Sequence, residues 1–414
     1  MNQYNYINDE LFCENVSLKN IAQKFGTPTF IYSKNSILNA FNEFDSAFKT
    51  LPHLTCYSVK ANSNLSVIKI LSDRGAGIDC NSGGEFFRAL KVGVNPKKII
   101  YTGVGKTEEE IRFVLSYPIL MLKVESFQEL DLVNKIAGEM NVVAPIGIRI
   151  NPNIDAKTHP YISTGLIENK FGIPISDSLE AFKYVTTLPN LKIIGVDTHI
   201  GSQILDAEPF VETANSLLNF TLQLKNVGIK IEHIDIGGGL GIDYETHQAR
   251  LTPKELSEKI SPILLKTNSK IIFEPGRFIT ANSGALLTKV LFTKKNNSKN
   301  FVIVDSAMND LLRPAFYDAF HEIIPVVKNN QEKIKVDVVG PVCESGDFFA
   351  KDRLLQSVNQ NDLVAILSAG AYGFVMSSNY NSRRRAAEVI VDGDNFHLIR
   401  KRESFEDLIQ NENL

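Results

Sequence analysis

Short apolar runs that end in polar or glycine-rich residues recur along the first two thirds of the chain. There are eight of them, and they are LTCYSVK, GIDCNSGG, KIIYTGVG, LMLKVES, IGIRINP, IIGVDTHIGS, HIDIGGG and KIIFEPGR. The stretches between them have helical features: SGGEFFRALKVG offers Ser82 as an N-cap and Gly93 as a stop, and ESFQELDLVNKIAG repeats apolar residues at helical spacing. Apolar strands that alternate with helices predict a parallel sheet covered on both faces.

Eight strand–helix units in about 240 residues match the size of a (β/α)8 barrel. A doubly wound open sheet is the alternative, because the number of strands does not show whether the sheet closes. After about residue 284 the segments become strand-like and turn-rich, and Asp392-Gly393-Asp394 between β-branched runs predicts a hairpin. We therefore expect a (β/α)8 barrel over 36–284, a largely antiparallel β domain over 285–414, and an N-terminal segment over 1–35 that packs on the β domain.

The net charge, the hydropathy and the cysteine spacing argue against several classes of protein. The chain has 44 Lys and Arg against 47 Asp and Glu, a net charge of −3, which predicts no nucleic-acid partner. No apolar run reaches the length of about 18 residues that a membrane span needs, and MNQYNYINDE lacks the features of a secretion signal. The four cysteines lie far apart without a CxxC pair, which argues against a zinc site or a disulfide framework. We expect a cytoplasmic enzyme or binding protein without a metal site or a membrane partner.

The ends of the predicted strands carry the candidate chemistry, since barrel enzymes place reactive groups there. Lys60 closes an apolar strand, where burial makes its amine nucleophilic; the alternative is a lysine whose amine reaches solvent. Gly237, Gly238 and Gly239 follow the seventh strand and would let backbone N–H groups approach a phosphate; the alternative is a flexible turn.

Two further strand ends carry an acid and an imidazole. Glu274 precedes Pro-Gly-Arg, and its carboxylate could keep a heterocyclic nitrogen protonated. The alternative is an ion pair between Glu274 and Arg277. His199 could act as a base, stack on a ring, or be a core histidine whose hydrogen bonds are satisfied. An amine, a phosphate cradle, a carboxylate and a stacking ring together point to pyridoxal phosphate, although none of them does so alone.

Seven motifs in order resemble the fold-type III pyridoxal-phosphate decarboxylases, and they are YSVKAN, DCNSGGE, HIGSQ, GGGLG, EPGR, GPVCESGD and GAYG. MNDLLRPAFYDAFH followed by GPVCESGD is most similar to the members that act on diaminopimelate. One departure is Arg384 in NSRRR, where the family often has proline. We expect that departure to change loop stiffness and not chemistry.

The resemblance implies the alanine racemase-like fold of type III, a (β/α)8 barrel with a second β domain, and pyridoxal 5'-phosphate as the cofactor. The residues that it assigns to the cofactor are Lys60, His199, Ser202, Gly237, Gly238, Gly239, Glu274, Gly276, Arg277 and Tyr372. Those that it assigns to the substrate are Arg277, Arg313, Tyr317, Glu344 and Tyr372. The catalytic set that it implies is Lys60, His199, Glu274 and Cys343. In that set Lys60 binds the cofactor's aldehyde, Glu274 pairs with the ring nitrogen and Cys343 donates a proton. The resemblance also implies a homodimer, in which Cys343 and Glu344 come from the partner subunit.

The expected reaction is the decarboxylation of meso-2,6-diaminopimelate to L-lysine and CO2. Arg277 and Arg313 suit the remote carboxylate and Glu344 the remote ammonium, whereas ornithine or lysine as substrate would leave the arginines unpaired. The first alternative is decarboxylation of another amino acid with a charged tail, such as carboxynorspermidine, ornithine or arginine. Two others are an amino acid racemase, which would place arginine at the ring nitrogen, and a pyridoxal-phosphate-binding regulator, which would lack Lys60 or Cys343.

Overall fold

The computed structural model describes residues 3–156, 164–165, 168–245, 251–297, 299–329 and 331–413. The chain divides into two compact units. The first, which we call the barrel unit, contains Phe41–Ile242 and Ala249–Phe278. The second, the sheet unit, contains Met1–Ala40, Asp243–Gln248 and Ile279–Leu414. Within the described residues, no helix has the length and apolar character that crossing a membrane requires.

The strands of the described residues follow in chain order: β1 (Tyr4–Ile7), β2 (Glu10–Cys13), β3 (Val16–Ser17), β4 (Thr29–Ser33), β5 (His53–Ser58), β6 (Gly77–Cys80), β7 (Ile99–Tyr101), β8 (Met121–Val124), β9 (Ala144–Asn151), β10 (Ile173–Pro174), β11 (Leu191–Asp197), β12 (His233–Asp235), β13 (Lys270–Phe273), β14 (Gly284–Asn296), β15 (Lys299–Val304), β16 (Ile323–Pro325), β17 (Lys333–Val339), β18 (Phe348–Gln356), β19 (Leu363–Ile366), β20 (Ala387–Asp392) and β21 (Asn395–Arg400).

The α-helices follow in the same order: α1 (Leu18–Phe25), α2 (Lys34–Ala47), α3 (Leu65–Asp73), α4 (Gly83–Lys91), α5 (Glu108–Leu115), α6 (Phe127–Glu139), α7 (Ile175–Val185), α8 (Glu208–Asn226), α9 (Pro253–Leu264), α10 (Arg277–Thr280), α11 (Arg313–Tyr317) and α12 (Phe405–Ile409).

The barrel unit is a closed ring of eight parallel strands. They are joined in the order β5-β6-β7-β8-β9-β11-β12-β13, and β13 pairs in parallel with β5 to close the ring. The short strand β10 lies outside the ring, beside β9. All eight predicted runs supply ring strands, so the (β/α)8 barrel is confirmed and the open-sheet alternative is wrong.

Local signals place two helices of the barrel unit as predicted. Ser82 accepts the N–H of Glu85 and begins α4, and Gly93 follows that helix with φ of +80°. Ser126 begins α6 in the same way, by accepting the N–H of Glu129. The inner faces of these helices are apolar, and α6 buries Leu130, Val133, Ile136 and Ala137.

The interior of the barrel depends on glycines beside a methionine. A Cβ atom on Gly147 would lie 2.4 Å from the sulfur of Met121, and one on Gly195 would lie 2.8 Å from it. Met121 therefore fills the space that two glycines on neighbouring strands leave open. The apolar cluster around it is completed by Cys56, Ile100, Ile194 and Ile272.

The sheet unit is a mixed sheet in the order β18-β17-β15-β14-β4-β20-β21, with β19 pairing with both β14 and β16. Most pairs are antiparallel, as expected, but β4 with β20 and β15 with β17 are parallel. Strand β4 comes from the N-terminal segment, lies between β14 and β20, and is buried along its whole length. The predicted hairpin joins β20 to β21 through Gly393, whose φ is +62°. A second β domain in addition to the barrel is confirmed, with a sheet that is mixed.

Candidate active site

The predicted residues of the barrel unit lie at one end of its parallel strands. Lys60 lies on a short 3-10 turn directly after β5, and Asp79 lies near the end of β6. His199, Gly237 and Glu274 follow β11, β12 and β13. Because the strands of a parallel barrel all end at the same rim, the closed ring brings these side chains together.

A buried lysine holds three carboxylates beneath this rim. The Nζ atom of Lys123, on β8, lies 2.8 Å from a carboxylate oxygen of Asp197, 2.8 Å from one of Asp235 and 2.5 Å from one of Glu274. The side chain of Lys123 is 0% exposed. The three carboxylates approach one another closely enough to hold a metal ion, but the ammonium group already lies among them. We call these four residues the Lys123 cluster.

The charges of the Lys123 cluster are shifted by burial and by one another. Burial lowers the pKa of Lys123, but the surrounding carboxylates outweigh burial and raise that pKa well above its usual value. Burial raises the pKa of Asp235 to about 7 despite Lys123. Burial, with Asp235 and Asp79 nearby, raises the pKa of Glu274 well above its usual range. The cluster thus keeps the lysine charged and retains a proton among its carboxylates near neutral pH.

Asp79 is a second buried acid, and its surroundings favour the ionised form. Its oxygens accept hydrogen bonds from Ser58 at 2.6 Å and Thr102 at 2.9 Å. Burial raises its pKa, but the charges of Lys60 and Lys123 outweigh burial, and with these hydrogen bonds they lower it. Asp79 therefore supplies negative charge close to Lys60.

His199 is neutral. Its Nδ1 atom accepts the N–H of Gly238 at 3.3 Å, which places the proton of the neutral ring on Nε2. Burial, followed by the charges of Lys60 and Arg149, lowers the pKa of His199 well below its usual value. A Cβ atom on Gly237 would lie 2.7 Å from Nδ1, so the glycine is what lets the ring lie against this turn. The lowered pKa makes His199 a weak proton acceptor, which argues against the role of a base.

The glycine-rich turns at the rim approach one another too closely for side chains. A Cβ atom on Gly238 would lie 2.2 Å from the carbonyl oxygen of Glu274, and one on Gly239 would lie 2.6 Å from that of Gly201. Gly276 packs in the same way against Ala61. The turn after β12 is therefore held by tight packing, which argues against a merely flexible turn.

Arg277 joins two loops of the same rim. Its Nη2 and Nε atoms donate to the hydroxyl of Ser202 at 3.0 and 3.2 Å. Its side chain is buried, at 7% exposure. Glu274, for which an ion pair with Arg277 was one alternative, is bound by Lys123. The pattern of apolar strands does not predict Lys123; the signal that indicates it is a lysine inside LMLKVES, with aspartates in two other buried runs.

In the sheet unit, Arg313 and Tyr317 lie at the two ends of α11. Arg313 is 5% exposed, and its guanidinium lies 4.6 Å from the ring centre of Tyr244. Tyr372, in the GAYG motif, has φ of +56°, which is uncommon for a residue with a side chain and is typical of functional sites.

Cys343 and Glu344 lie on an ordered but exposed loop of the sheet unit. Asp347 holds the loop from within, since its carboxylate accepts the N–H groups of Val342 and Met308, each at 2.7 Å. Both Cys343 and Glu344 are exposed. The loop thus presents its thiol and its carboxylate outward from a fixed backbone.

Two residues of the divergent YNSRRR segment bind this loop. The hydroxyl of Tyr380 donates to Glu344 at 2.8 Å, and the side-chain oxygen of Asn381 accepts the N–H of Cys343 at 3.0 Å. Arg384 instead stacks on the ring of Phe405, 4.6 Å from its centre. The sequence gives no direct signal for the contacts of Tyr380 and Asn381, because they join segments that are almost forty residues apart.

Comparisons with known proteins agree with this geometry. Residues 34–281 match the family model of the pyridoxal-binding domain of pyridoxal-dependent decarboxylases. The chain is 47% identical over 405 residues to diaminopimelate decarboxylase of Aquifex aeolicus, which covers 98% of this chain and 96% of that protein. The chain belongs to the diaminopimelate decarboxylase family. This decarboxylase is also 46% identical over 414 residues to the enzyme of Pseudomonas aeruginosa, covering 100% of this chain and 99% of that one.

Solved structures of the same family superpose on the decarboxylase along almost its whole length. Diaminopimelate decarboxylase of Helicobacter pylori complexed with L-lysine has a TM-score of 0.92 and 44% identity, and covers 95% of this chain and 99% of that one. The enzyme of M. jannaschii in complex with L-lysine has a TM-score of 0.95 and 37% identity, and covers 100% of this chain and 98% of that one. The decarboxylase is a pyridoxal-phosphate-dependent carboxy-lyase.

The residues of the barrel rim fit this cofactor. A neutral imidazole suits the face of a pyridine ring, and the buried carboxyl group of Glu274, whose pKa is raised by burial, suits a ring nitrogen that shares a proton. The glycine turn, Ser202 and Arg277 suit a phosphate. The amine of Lys60 suits an aldehyde group, and Asp79 is its neighbouring charge.

Proposed function

We propose that the decarboxylase removes one carboxyl group of meso-2,6-diaminopimelate as CO2 and releases L-lysine, the last step of lysine biosynthesis. The observation that supports this substrate is the buried guanidinium of Arg313 at the start of α11. It occurs in a chain that is similar to diaminopimelate decarboxylases over almost its whole length. A guanidinium binds a carboxylate through paired hydrogen bonds, and diaminopimelate has a remote carboxylate that ornithine and arginine lack as substrates.

The barrel residues would hold the cofactor. When bound, pyridoxal phosphate supplies an aldehyde for the substrate's amine and a ring that withdraws electrons as CO2 leaves. Lys60 would bind that aldehyde between turnovers, and His199 would lie against the ring. Glu274 would keep its proton shared with the ring nitrogen, because the Lys123 cluster disfavours the release of that proton to water. Gly237, Gly238, Gly239, Gly276, Ser202, Arg277 and Tyr372 would complete the cofactor site.

The sheet-unit residues would act on the substrate. Arg313, with Arg277, would bind the remote carboxylate and Glu344 the remote ammonium, while Tyr317 and Tyr372 would line the site. Cys343 would give its thiol proton to the carbon that has lost CO2, so that an S–H bond breaks and a C–H bond forms. Solvent would then return a proton to the thiolate.

We also propose a homodimer whose active sites are shared. Cys343 and Glu344 are exposed on a loop that Asp347 holds in a fixed shape, which suits groups that complete a site on another chain. A two-fold axis would build two equivalent sites, each from both chains. We place the enzyme in the cytoplasm, since Cys13, Cys56, Cys80 and Cys343 are all free thiols.

The substrate is tested with a panel of diaminopimelate stereoisomers, ornithine, lysine and arginine, by measuring CO2 release and the chirality of the product. We expect L-lysine from the meso isomer and negligible turnover of the others. Arg313→Ala should lose about 2–5 kcal/mol of discrimination for diaminopimelate, the scale for an unpaired buried charge contact. Faster turnover of ornithine or arginine than of diaminopimelate would contradict the proposed substrate.

The shared site is tested by mixing Lys60→Ala and Cys343→Ala subunits, each inactive or nearly so alone. In a mixed dimer one site carries both changes, and the other has Lys60 from one chain and Cys343 from the other. Random exchange makes about half the dimers mixed, so about a quarter of wild-type activity should return. If mass spectrometry confirms exchange and no activity returns, Cys343 acts within its own chain.

A further inference from the structure

His321 closes the LLRPAFYDAFH segment and is fully buried, at 0% exposure. Its Nδ1 atom lies 2.8 Å from the carbonyl oxygen of Leu367, and its Nε2 atom lies 3.0 Å from Nη1 of Arg313. A carbonyl oxygen only accepts hydrogen bonds, so Nδ1 carries the proton. A guanidinium only donates, so Nε2 presents its lone pair to Arg313. The two contacts together fix one tautomer and the neutral state of the ring.

The backbone around His321 is held as firmly as its ring. Asp318 follows helix α11 and adopts a left-handed conformation with φ of +49°. The chain then turns back so that His321 faces Arg313. The carbonyl oxygen of His321 accepts a hydrogen bond from Arg353 at 2.8 Å. The guanidinium of Arg353 also lies 4.0 Å from the ring centre of the preceding Phe320. His321 is therefore a fixed point against which Arg313 rests.

A neutral acceptor is the appropriate partner for an arginine that has to bind a carboxylate. An aspartate or glutamate in the place of His321 would orient Arg313 but would also compensate its charge. The imidazole accepts a hydrogen bond from one N–H of the guanidinium and places no negative charge beside it. The ring of Tyr244 lies 4.6 Å from that guanidinium and adds contact without a negative charge.

We propose that His321 is a positioning residue for substrate recognition: its Nε2 atom orients the Arg313 guanidinium toward the remote carboxylate of the substrate. This inference rests on the proposed role of Arg313. L-Lysine, the product, keeps the remote amino acid head of diaminopimelate, whereas cadaverine has the same chain without a carboxylate. The orientation of Arg313 should therefore affect the binding of L-lysine and leave the binding of cadaverine unchanged.

The experiment compares His321→Leu with His321→Gln in the holoenzyme. Leucine removes the acceptor, whereas the glutamine amide can donate to Leu367 and accept from Arg313. We expect His321→Leu to raise KM for meso-diaminopimelate about 10- to 100-fold, the scale for a lost hydrogen bond to a charged group, with kcat within about 3-fold. His321→Gln should restore KM to within about 3-fold of wild type. His397→Leu, in the same unit on β21, is the matched control and should change neither constant.

Binding measurements separate positioning from a purely structural role. His321→Leu should weaken L-lysine binding about 10-fold or more and leave cadaverine binding unchanged. If His321→Leu does not fold, His321→Asn replaces it, because its shorter amide does not reach Arg313. Wild-type L-lysine binding by whichever of the two folds would overturn the proposal. The proposal would also be overturned if His321→Leu and His321→Gln weakened the binding of L-lysine and of cadaverine equally. His321 would then only support the fold.

Arg313→Ala distinguishes this inference from the proposed function beneath it. If Arg313→Ala keeps the preference for L-lysine over cadaverine, Arg313 does not bind the carboxylate and the proposed function is wrong at that residue. If Arg313→Ala loses the preference and His321→Leu keeps it, only the positioning role is wrong.

Discussion

Lys123 in the barrel unit and Cys343 in the sheet unit show two ways of holding ionisable groups. Lys123 is fully buried on β8, and three carboxylates at the ends of β11, β12 and β13 bind it directly. Cys343 is exposed on a loop whose backbone N–H groups donate hydrogen bonds to the side-chain oxygens of Asp347 and Asn381. The closed sheet thus surrounds an ionisable group with buried partners, whereas the loop leaves its thiol exposed and fixes only the backbone beside it.

The largest effect should come from the barrel rim. Lys60→Ala should lower turnover by about 10³-fold or more, because it removes the amine that we propose binds the cofactor's aldehyde. CO2 release and the visible absorption of the purified protein measure this loss. Lys69→Ala, which removes a surface lysine paired with Asp73, is the control and should be fully active. Near-normal activity of Lys60→Ala would contradict its assignment.

The Lys123 cluster should dominate the stability of the barrel unit. Lys123→Met should lower the free energy of unfolding by about 3–5 kcal/mol, because three buried carboxylates lose their cation. Urea unfolding followed by circular dichroism measures the change. Adding Asp235→Asn should recover part of the loss by removing one of the three buried acids. A loss below about 1 kcal/mol would mean that the cluster does not depend on its lysine.

The same cluster predicts a pH dependence of stability. Burial raises the pKa of Asp235 to about 7, whereas an unfolded aspartate has a pKa of about 3.9. The folded chain therefore binds a proton that the unfolded chain has released, so this group lowers the free energy of unfolding as pH rises from about 4 to about 7. Asp235→Asn should flatten that decline in urea titrations across this range. Asp73→Asn, at an exposed site, should leave it unchanged.

The loop of the sheet unit should respond more weakly. Tyr380→Phe removes a hydrogen bond to Glu344 at an exposed site, and should raise KM for diaminopimelate about 2- to 5-fold without changing stability. Tyr184→Phe is the matched control, since the Tyr184 hydroxyl donates to Asp131 at a similarly exposed site in the barrel unit. An equal change of KM in both variants would mean that Tyr380 does not act through Glu344.

The smallest effect should come from the departure in the NSRRR segment. Arg384→Pro restores the proline of the family and removes a stacking contact with Phe405. The contact and the gain in chain stiffness are of similar size, so Tm should move by about 3 °C or less and KM by less than about 2-fold. A 10-fold change in KM would show that Arg384 contributes to the site.

Short-range patterns predicted much of the barrel unit and less of the sheet unit. Continuous apolar runs predicted all eight ring strands, the N-cap Ser82 predicted where α4 begins, and apolar spacing predicted the helix α6. Strands β16 and β18 escaped prediction. Strand β18 mixes exposed and buried residues, because it lies at the edge of the sheet.

The candidate site also has residues that local sequence patterns indicate and contacts that they do not. Position at the end of a predicted strand is enough to indicate Lys60, His199 and Glu274, because barrel geometry places such residues on one rim. No local pattern predicted that His321 supports Arg313 or that Tyr380 contacts Glu344.

The sequence by itself determined the order of strands and helices, the barrel architecture and the chemistry available at the strand ends, because periodicity, caps and turn residues act over a few positions. Tertiary structure decided which charges pair and which side chains hold others in place. Lys123 lies 74 residues from Asp197 and 151 from Glu274, and only closure of the ring brings their charged groups together out of water. Burial then couples these charges and shifts their pKa values, since a charge removed from water depends on the partners that the fold supplies.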